Sequence, residues 1–208
     1  MNITRHGKTF LKLSYSDKTI ALNPVSNESK EKVSKFGSDI AISTLAHPDF
    51  NGFENVKFGN KEPFVIKGPG EYEISGIFIN GYGVKGRFQG EDKILTSYSL
   101  LVDGLKVAFF APISSGEEFS NEAFEEFAKA DVFILPIGGG DAFSAKDGWK
   151  FLKQFGPKII IPLYENENDL VEFKTETNLA FEDVEKISLK QKDLPAEGSV
   201  KIFNLKIS

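Results

Sequence analysis

His6 and His47 are the two histidines of the 208-residue sequence, and cysteine is absent. Chemistry that needs an imidazole must therefore run through one of these two positions. Disulfides, thiolate zinc sites, iron–sulfur clusters and cysteine nucleophiles are excluded. His47 lies in Ser43-Thr44-Leu45-Ala46-His47-Pro48-Asp49-Phe50-Asn51. At that spacing His47 and Asp49 can act as an acid–base pair or as two ligands of one metal. The same residues also describe a plain loop, in which Asp49 caps a turn and His47 bonds to backbone. Gly138-Gly139-Gly140 has the small residues with which backbone N–H groups cradle a phosphate. It lacks the lysine of a P-loop and does not fit the dinucleotide pattern, so a tight strand-to-helix connection explains it better. Glu71 and Glu73 share a face if their segment is a strand, where two carboxylates on an exposed hairpin read as a solvated surface. Neither histidine is near a Gly-x-Ser-x-Gly elbow, which disfavours a serine nucleophile.

These residues need elements to hold them. Runs rich in β-branched and aromatic residues at 3–7, 9–14 and 19–23 predict a strand meander. A buried strand at 39–43 would deliver the His47 loop, and the end of such a strand is a common ligand position in layered α/β folds. Further strands are expected at 55–58 and 64–67, and a short helix within 24–37. Hairpins are predicted to turn at Ser75-Gly76 and at Asp103-Gly104, with a polar, glycine-rich loop over 81–93 between them. The second half alternates. A helix at 118–129 carries Phe119, Ala123, Phe124 and Phe127 on one face, and an apolar strand follows at 132–136. Ser144, with Asp147 three residues on, opens a helix to Phe155. Next come a strand at 158–162, a helix at 169–176 and closing strands at 186–189 and 200–207. Phe50, Phe53, Phe58 and Phe88 fall in or near loops, where they can line a pocket or an interface.

Twenty-five basic and 30 acidic residues give a formal charge of −5, with 40% hydrophobic and 26% charged residues. This is the composition of a soluble globular protein. No break in it marks a linker, so residues 1–208 are expected to form a single domain. The acidic balance disfavours nucleic acid as main partner. No run approaches the ~20 apolar residues of a membrane span, and no signal-peptide core is visible. A cytoplasmic protein is expected, with a homo-oligomer or an unidentified protein partner left open.

Several segments carry a family likeness. They are Ile3-Thr4-Arg5-His6-Gly7-Lys8-Thr9-Phe10, Leu22-Asn23-Pro24, Thr44 to Phe50, Pro63 to Ile74, Leu135 to Gly139, Pro157 to Pro162 and Lys190 to Pro195. In this order, nearly end to end, the sequence resembles the metallo-β-lactamase superfamily, in its bacterial metal-dependent hydrolase branch that includes ascorbate-phosphate-lactonase-like proteins. The resemblance implies a four-layered αβ/βα sandwich with a zinc site at one edge between two sheets. It also implies where the ligands should stand, and most are missing. The histidine positions of the first metal motif hold Leu45 and Phe50 around a retained His47 and Asp49. A later histidine position falls at or near Gly86, the bridging aspartate on Pro112 and the closing histidine on Leu163, while Gly7-Lys8 stands for Gly-His. A catalytic zinc takes three protein ligands. The expectation is therefore a member without zinc and without hydrolase activity, a scaffold or binding module whose old cleft is filled by Leu45, Phe50, Pro112 and Leu163. The competing expectation is a hydrolase with a single-metal or metal-free site at His47 and Asp49, with His6 leaning towards them and Lys8 supplying positive charge.

Overall fold

The computed structural model describes residues 1–208. In chain order the strands are β1 (Asn2–Arg5), β2 (Leu11–Tyr15), β3 (Lys18–Leu22), β4 (Ile40–Ile42), β5 (Phe64–Ile66), β6 (Gly70–Ile74) and β7 (Ile77–Phe88). They continue with β8 (Glu91–Val102), β9 (Leu105–Phe109), β10 (Val132–Pro136), β11 (Ile159–Leu163), β12 (Phe181–Val184), β13 (Ile187–Ser188) and β14 (Lys201–Leu205). The helices are α1 (Asn121–Phe127), α2 (Ala145–Lys153) and α3 (Glu167–Thr177). Two sheets form, in the orders β13-β1-β2-β3-β4-β5 and β12-β14-β11-β10-β9-β8-β7-β6.

Alternation along the strands builds the layers. Leu11, Leu13, Ile20, Leu22, Ile40 and Ile42 of the first sheet face Val107, Phe109, Val132, Ile134, Ile159 and Ile161 of the second. The intervening residues Ala108, Phe110, Phe133, Leu135 and Ile160 point the other way, onto Ala123, Phe127, Phe151, Leu152 and Phe173 of the three helices. Covered on both faces, β10 and β11 are parallel and continuously apolar, as such strands must be. On the far side of the first sheet, Phe10, Ala21 and Ala41 are covered by Val25 and Val56. The sandwich is thus the expected one, and its outermost layer there is irregular chain plus one 3₁₀ turn. No helix is long and apolar enough to cross a membrane.

Ser144 and Ser120 cap their helices by accepting the amides of Asp147 and Ala123, and the Ser75-Gly76 and Asp103-Gly104 turns are present with φ of 54° and 78°, and 56° and 71°. Three expectations are corrected. Residues 55–58 are not a strand, because Phe53–Val56 winds into a 3₁₀ turn that tucks Asn55 and Val56 inward. No helix forms within 24–37, where side chains anchor individually to the turn and to the β1–β2 loop. Residues 81–93 are not a loop: β7 and β8 pair from Phe78↔Leu101 to Phe88↔Glu91. Because β6 pairs with β7 only up to Gly81 and β9 with β8 only from Tyr98, residues 82–97 form a two-stranded ribbon that leaves the sheet. Strand β12, which the sequence pattern does not announce, extends the second sheet beyond β14.

Candidate functional site

At the edge where the two sheets meet lies an open cleft of about 670 Å³. Its walls come from the β1–β2 loop, residues 25–31, His47 to Phe50, the ribbon tip at Phe88-Gln89, Pro112, and the loops after β10 and β11. The last two leave the carboxyl ends of adjacent parallel strands, the position at which such sheets bind ligands.

Strand β4 delivers His47. The Thr44 amide and hydroxyl donate to Asn23 Oδ1 at 2.8 and 3.0 Å, fixing the start of the loop. The imidazole is then held edge-on by Phe88 and Phe50, with ring centroids 5.0 and 6.1 Å away. Its Nδ1 accepts the Asp49 amide at 3.2 Å, while Asp49 Oδ2 stands 3.5 Å from the same nitrogen. One nitrogen cannot accept a proton from the amide and donate one to the carboxylate. The amide bond assigns the neutral ring its proton at Nε2, so the contact with Asp49 becomes a hydrogen bond only when the ring is charged. The neutral ring offers a donor and has no free basic nitrogen. Asp49 itself is engaged elsewhere, since Oδ1 accepts the Ser29 hydroxyl.

Lys8 stands on the opposite wall, with Nζ 3.0 Å from both Glu31 and Glu165. Burial alone would lower its proton affinity, but the bonds to Glu165 and Glu31 outweigh this and raise it. The ammonium is a bridge between two loops. Beneath it, Arg5 is 1% exposed and donates to the carbonyls of Gly7, Lys8 and Tyr164 at 3.0, 2.9 and 2.6 Å. Its guanidinium lies 4.6 Å from the centre of the Tyr164 ring. His6 does not lean towards His47. Its Nε2 meets Thr4 Oγ1 at 2.9 Å and its ring packs on Phe36 and Phe10, because β1 ends at Arg5 and the chain turns the ring onto the outer side of the first sheet. Burial first, then Lys12, lowers its proton affinity.

The expected filling of the cleft is not met. Leu45 and Phe50 pack into the helix-side core and Leu163 into the core between the sheets. Phe50, Pro112 and Leu163 floor the cleft, and the space above them stays open. As a metal site the residues do not fit: Leu45, Phe50, Pro112 and Leu163 put carbon at four of the positions where the resemblance expects ligands, and nowhere do three His, Cys, Asp or Glu side chains converge as a ligand group. The glycine loop is occupied by its own bonds, with the Gly138 and Gly139 amides donating to the Phe143 carbonyl at 2.9 and 3.0 Å. A Cβ at Gly138 would stand 2.8 Å from Asp169 Oδ2. Glu71 and Glu73 lie exposed on β6, outside the cleft lining. Phe53 is half-buried and Phe58 exposed, both also outside it.

Sequence reasoning missed Ser29, Glu31, Asp141, Glu165 and Asp169, which reach the cleft from separate loops. Asp141 ties the ribbon tip down by accepting the Gln89 amide at 2.8 Å. Asp169 closes a capping box with Asn166 at the start of α3, and that Asn-x-x-Asp pattern was the available signal.

Residues 2–164 match the model of a β-lactamase superfamily domain. Among solved structures, a zinc-dependent hydrolase of the metallo-β-lactamase superfamily from Thermotoga maritima aligns at 22% identity over 99% of each chain, with a TM-score of 0.76. A metal-dependent hydrolase from Parabacteroides distasonis aligns at 20% identity over 98% of this chain and 93% of that one, TM-score 0.65. An isothiocyanate hydrolase from Delia radicum gut bacteria aligns at 13% identity over 91% and 100%, TM-score 0.67. At these identities the structural likeness speaks for the fold. A comparison with curated proteins finds no match.

Proposed function

The chain belongs to the metallo-β-lactamase superfamily, and from that premise we propose that it is a member without a metal centre, working as a binding module that holds a small polar ligand in the cleft. One observation carries this reading: of the family's ligand positions, only His47 and Asp49 keep donor side chains, and both are already engaged, by the Asp49 amide and the Ser29 hydroxyl. Pulling a divalent cation out of water onto two donors, with Phe50, Pro112 and Leu163 beside it, leaves most of its hydration uncompensated. The charged groups of the walls and the open volume supply what a polar ligand needs.

Calorimetric titration with zinc, with metal analysis of the purified protein beside it, tests the reading. No stoichiometric heat is expected, and tight one-to-one zinc overturns it. A second reading is favoured by the openness of the cleft beside His47: a hydrolase with a reduced or metal-free site. Phosphodiester, lactone and thioester substrates offered to the wild type and to His47→Ala separate the two. Turnover that vanishes in the variant supports the second.

A further inference from the structure

The ribbon of residues 82–97 is fixed at its base and lightly held at its tip. At the base Val84 and Leu95, opposite each other in the pairing, are buried in the helix-side core. One residue on, the Thr96 amide donates to the Thr44 carbonyl at 2.9 Å. From Lys85 to Ile94 no residue is buried. The tip spends most of its polar groups on itself: Arg87 donates to the Gly90 carbonyl at 2.8 Å and faces Asp92 at 3.5 Å, and Lys93 pairs with Glu91. Two contacts tie it to the rest of the molecule. The Gln89 amide donates to Asp141 Oδ2 at 2.8 Å, and the Phe88 ring stands 5.0 and 5.3 Å from those of His47 and Phe50.

A two-stranded ribbon has little stability of its own, so these two contacts act as a latch. Hinges are a few positions that absorb a change in backbone dihedrals, and Gly86, two residues past Val84, is placed for it. A Cβ there would lie 2.6 Å from Leu95 Cδ1, so the core side chain packs against bare and conformationally permissive backbone. The latch also stands between two cavities. The cleft is lined by Phe88, Gln89, Gly140 and Asp141, and a groove of about 510 Å³ by Arg87, Gly90, Gly140 and Asp141. The Gln89–Asp141 bond lies on the boundary they share.

We propose that residues 86–92 are a lid on His47, that it swings about the Val84–Leu95 pair, and that lifting it joins the cleft to the groove. Lowered, the lid sets Phe88 against the imidazole and its latch divides the two cavities. Lifted, it leaves one trench running past Gly140 and Asp141. Any use of the lid by a ligand rests on the proposed reading of the cleft. The movement does not, so the two fail by different measurements.

The chain has no cysteine, so nitroxide labels can be placed on the full chain through Glu91→Cys at the tip and Asn168→Cys in the first turn of α3, both exposed. Spin–spin distance measurement is expected to give a short distance and a second, longer one. Asp141→Ala removes one hydrogen bond and should raise the longer population about fivefold relative to the shorter. Phe88→Ala should raise it about tenfold or more. Amide exchange at Thr96 should stay slow in both variants, because the base holds. A single distance that both substitutions leave unchanged overturns the proposal. So does fast exchange at Thr96 in the variants, which would mean that the whole ribbon melts instead of swinging.

Discussion

Replacing Arg5 with alanine isolates the strongest single tie beneath the cleft. The guanidinium donates to three carbonyls at 2.6–3.0 Å and reaches that of Leu205 at 3.5 Å. Hydrogen bonds from a charged donor contribute about 1.5–3 kcal/mol each, and the contact with the Tyr164 ring adds about 1 kcal/mol. Holding a guanidinium out of water costs several kcal/mol in return. The sum of the bonds exceeds that cost, and Arg5→Ala also strands the buried carbonyls, so the expected net loss is about 3–4 kcal/mol. For a chain of this size that corresponds to a fall of roughly 10 °C in Tm. Urea unfolding reads it as a lower midpoint at unchanged slope. Arg5→Met restores the volume of the stem but no donor, and should recover less than about 1 kcal/mol of the loss. If Arg5→Ala costs under about 1 kcal/mol, or if Arg5→Met equals the wild type, the reasoning fails and packing alone explains the residue.

Acid should weaken the fold through His6. Its folded proton affinity is lowered by burial and then by Lys12, so below about pH 6.5 the unfolded chain takes up the proton first. Stability present above that pH is lost on acidification towards the lower folded value. His6→Gln should lose less between pH 7.5 and pH 5 in urea midpoints, and equal losses would refute this. Gly52→Ala should cost about 3 kcal/mol or more, because its Cβ would lie 2.1 Å from the Val25 carbonyl carbon and 2.2 Å from the Ser26 nitrogen. Gly139→Ala, at φ 74° with nothing nearby, should cost only about 1–2 kcal/mol, and a reversed order in thermal unfolding would contradict the geometry. Asp141→Ala should speed amide exchange at Gln89 while changing global stability by less than about 1 kcal/mol. Unchanged exchange over residues 86–91 would show that the ribbon tip is anchored otherwise.

What was legible in the sequence was what local physics decides. Val132–Pro136 and Ile159–Leu163 are apolar throughout because both faces are covered, and Ser144 announces its helix through its own cap. The ribbon was not legible. With solvent on much of both faces, and Gly81, Gly83 and Gly86 along β7, it has little alternation to show, and its position is fixed by Phe88 against His47 and by Asp141 at Gln89. The site divides in the same way. His47 and Asp49 were found by residue type and spacing. The partners that engage them, and the Lys8 bridge, depend on loops brought together by the two sheets. Leu45, Phe50 and Leu163 read correctly as buried carbon, yet sequence alone could not show that they turn into two separate cores and leave the space between the loops open.

The first sheet is closed by strands far apart in the chain: β1 pairs with β2 on one side and with β13 on the other, Asn2 opposite Ser188. During synthesis at about 5–20 residues per second, the early meander therefore waits roughly 10–40 s before its last neighbour emerges. Throughout that delay β1 presents an unpaired border and an unsheltered greasy side, a template for stray strands. Assembly dominated by such distant pairings is slow, so holding chaperones would have their longest opportunity on this protein before its closing strands arrive.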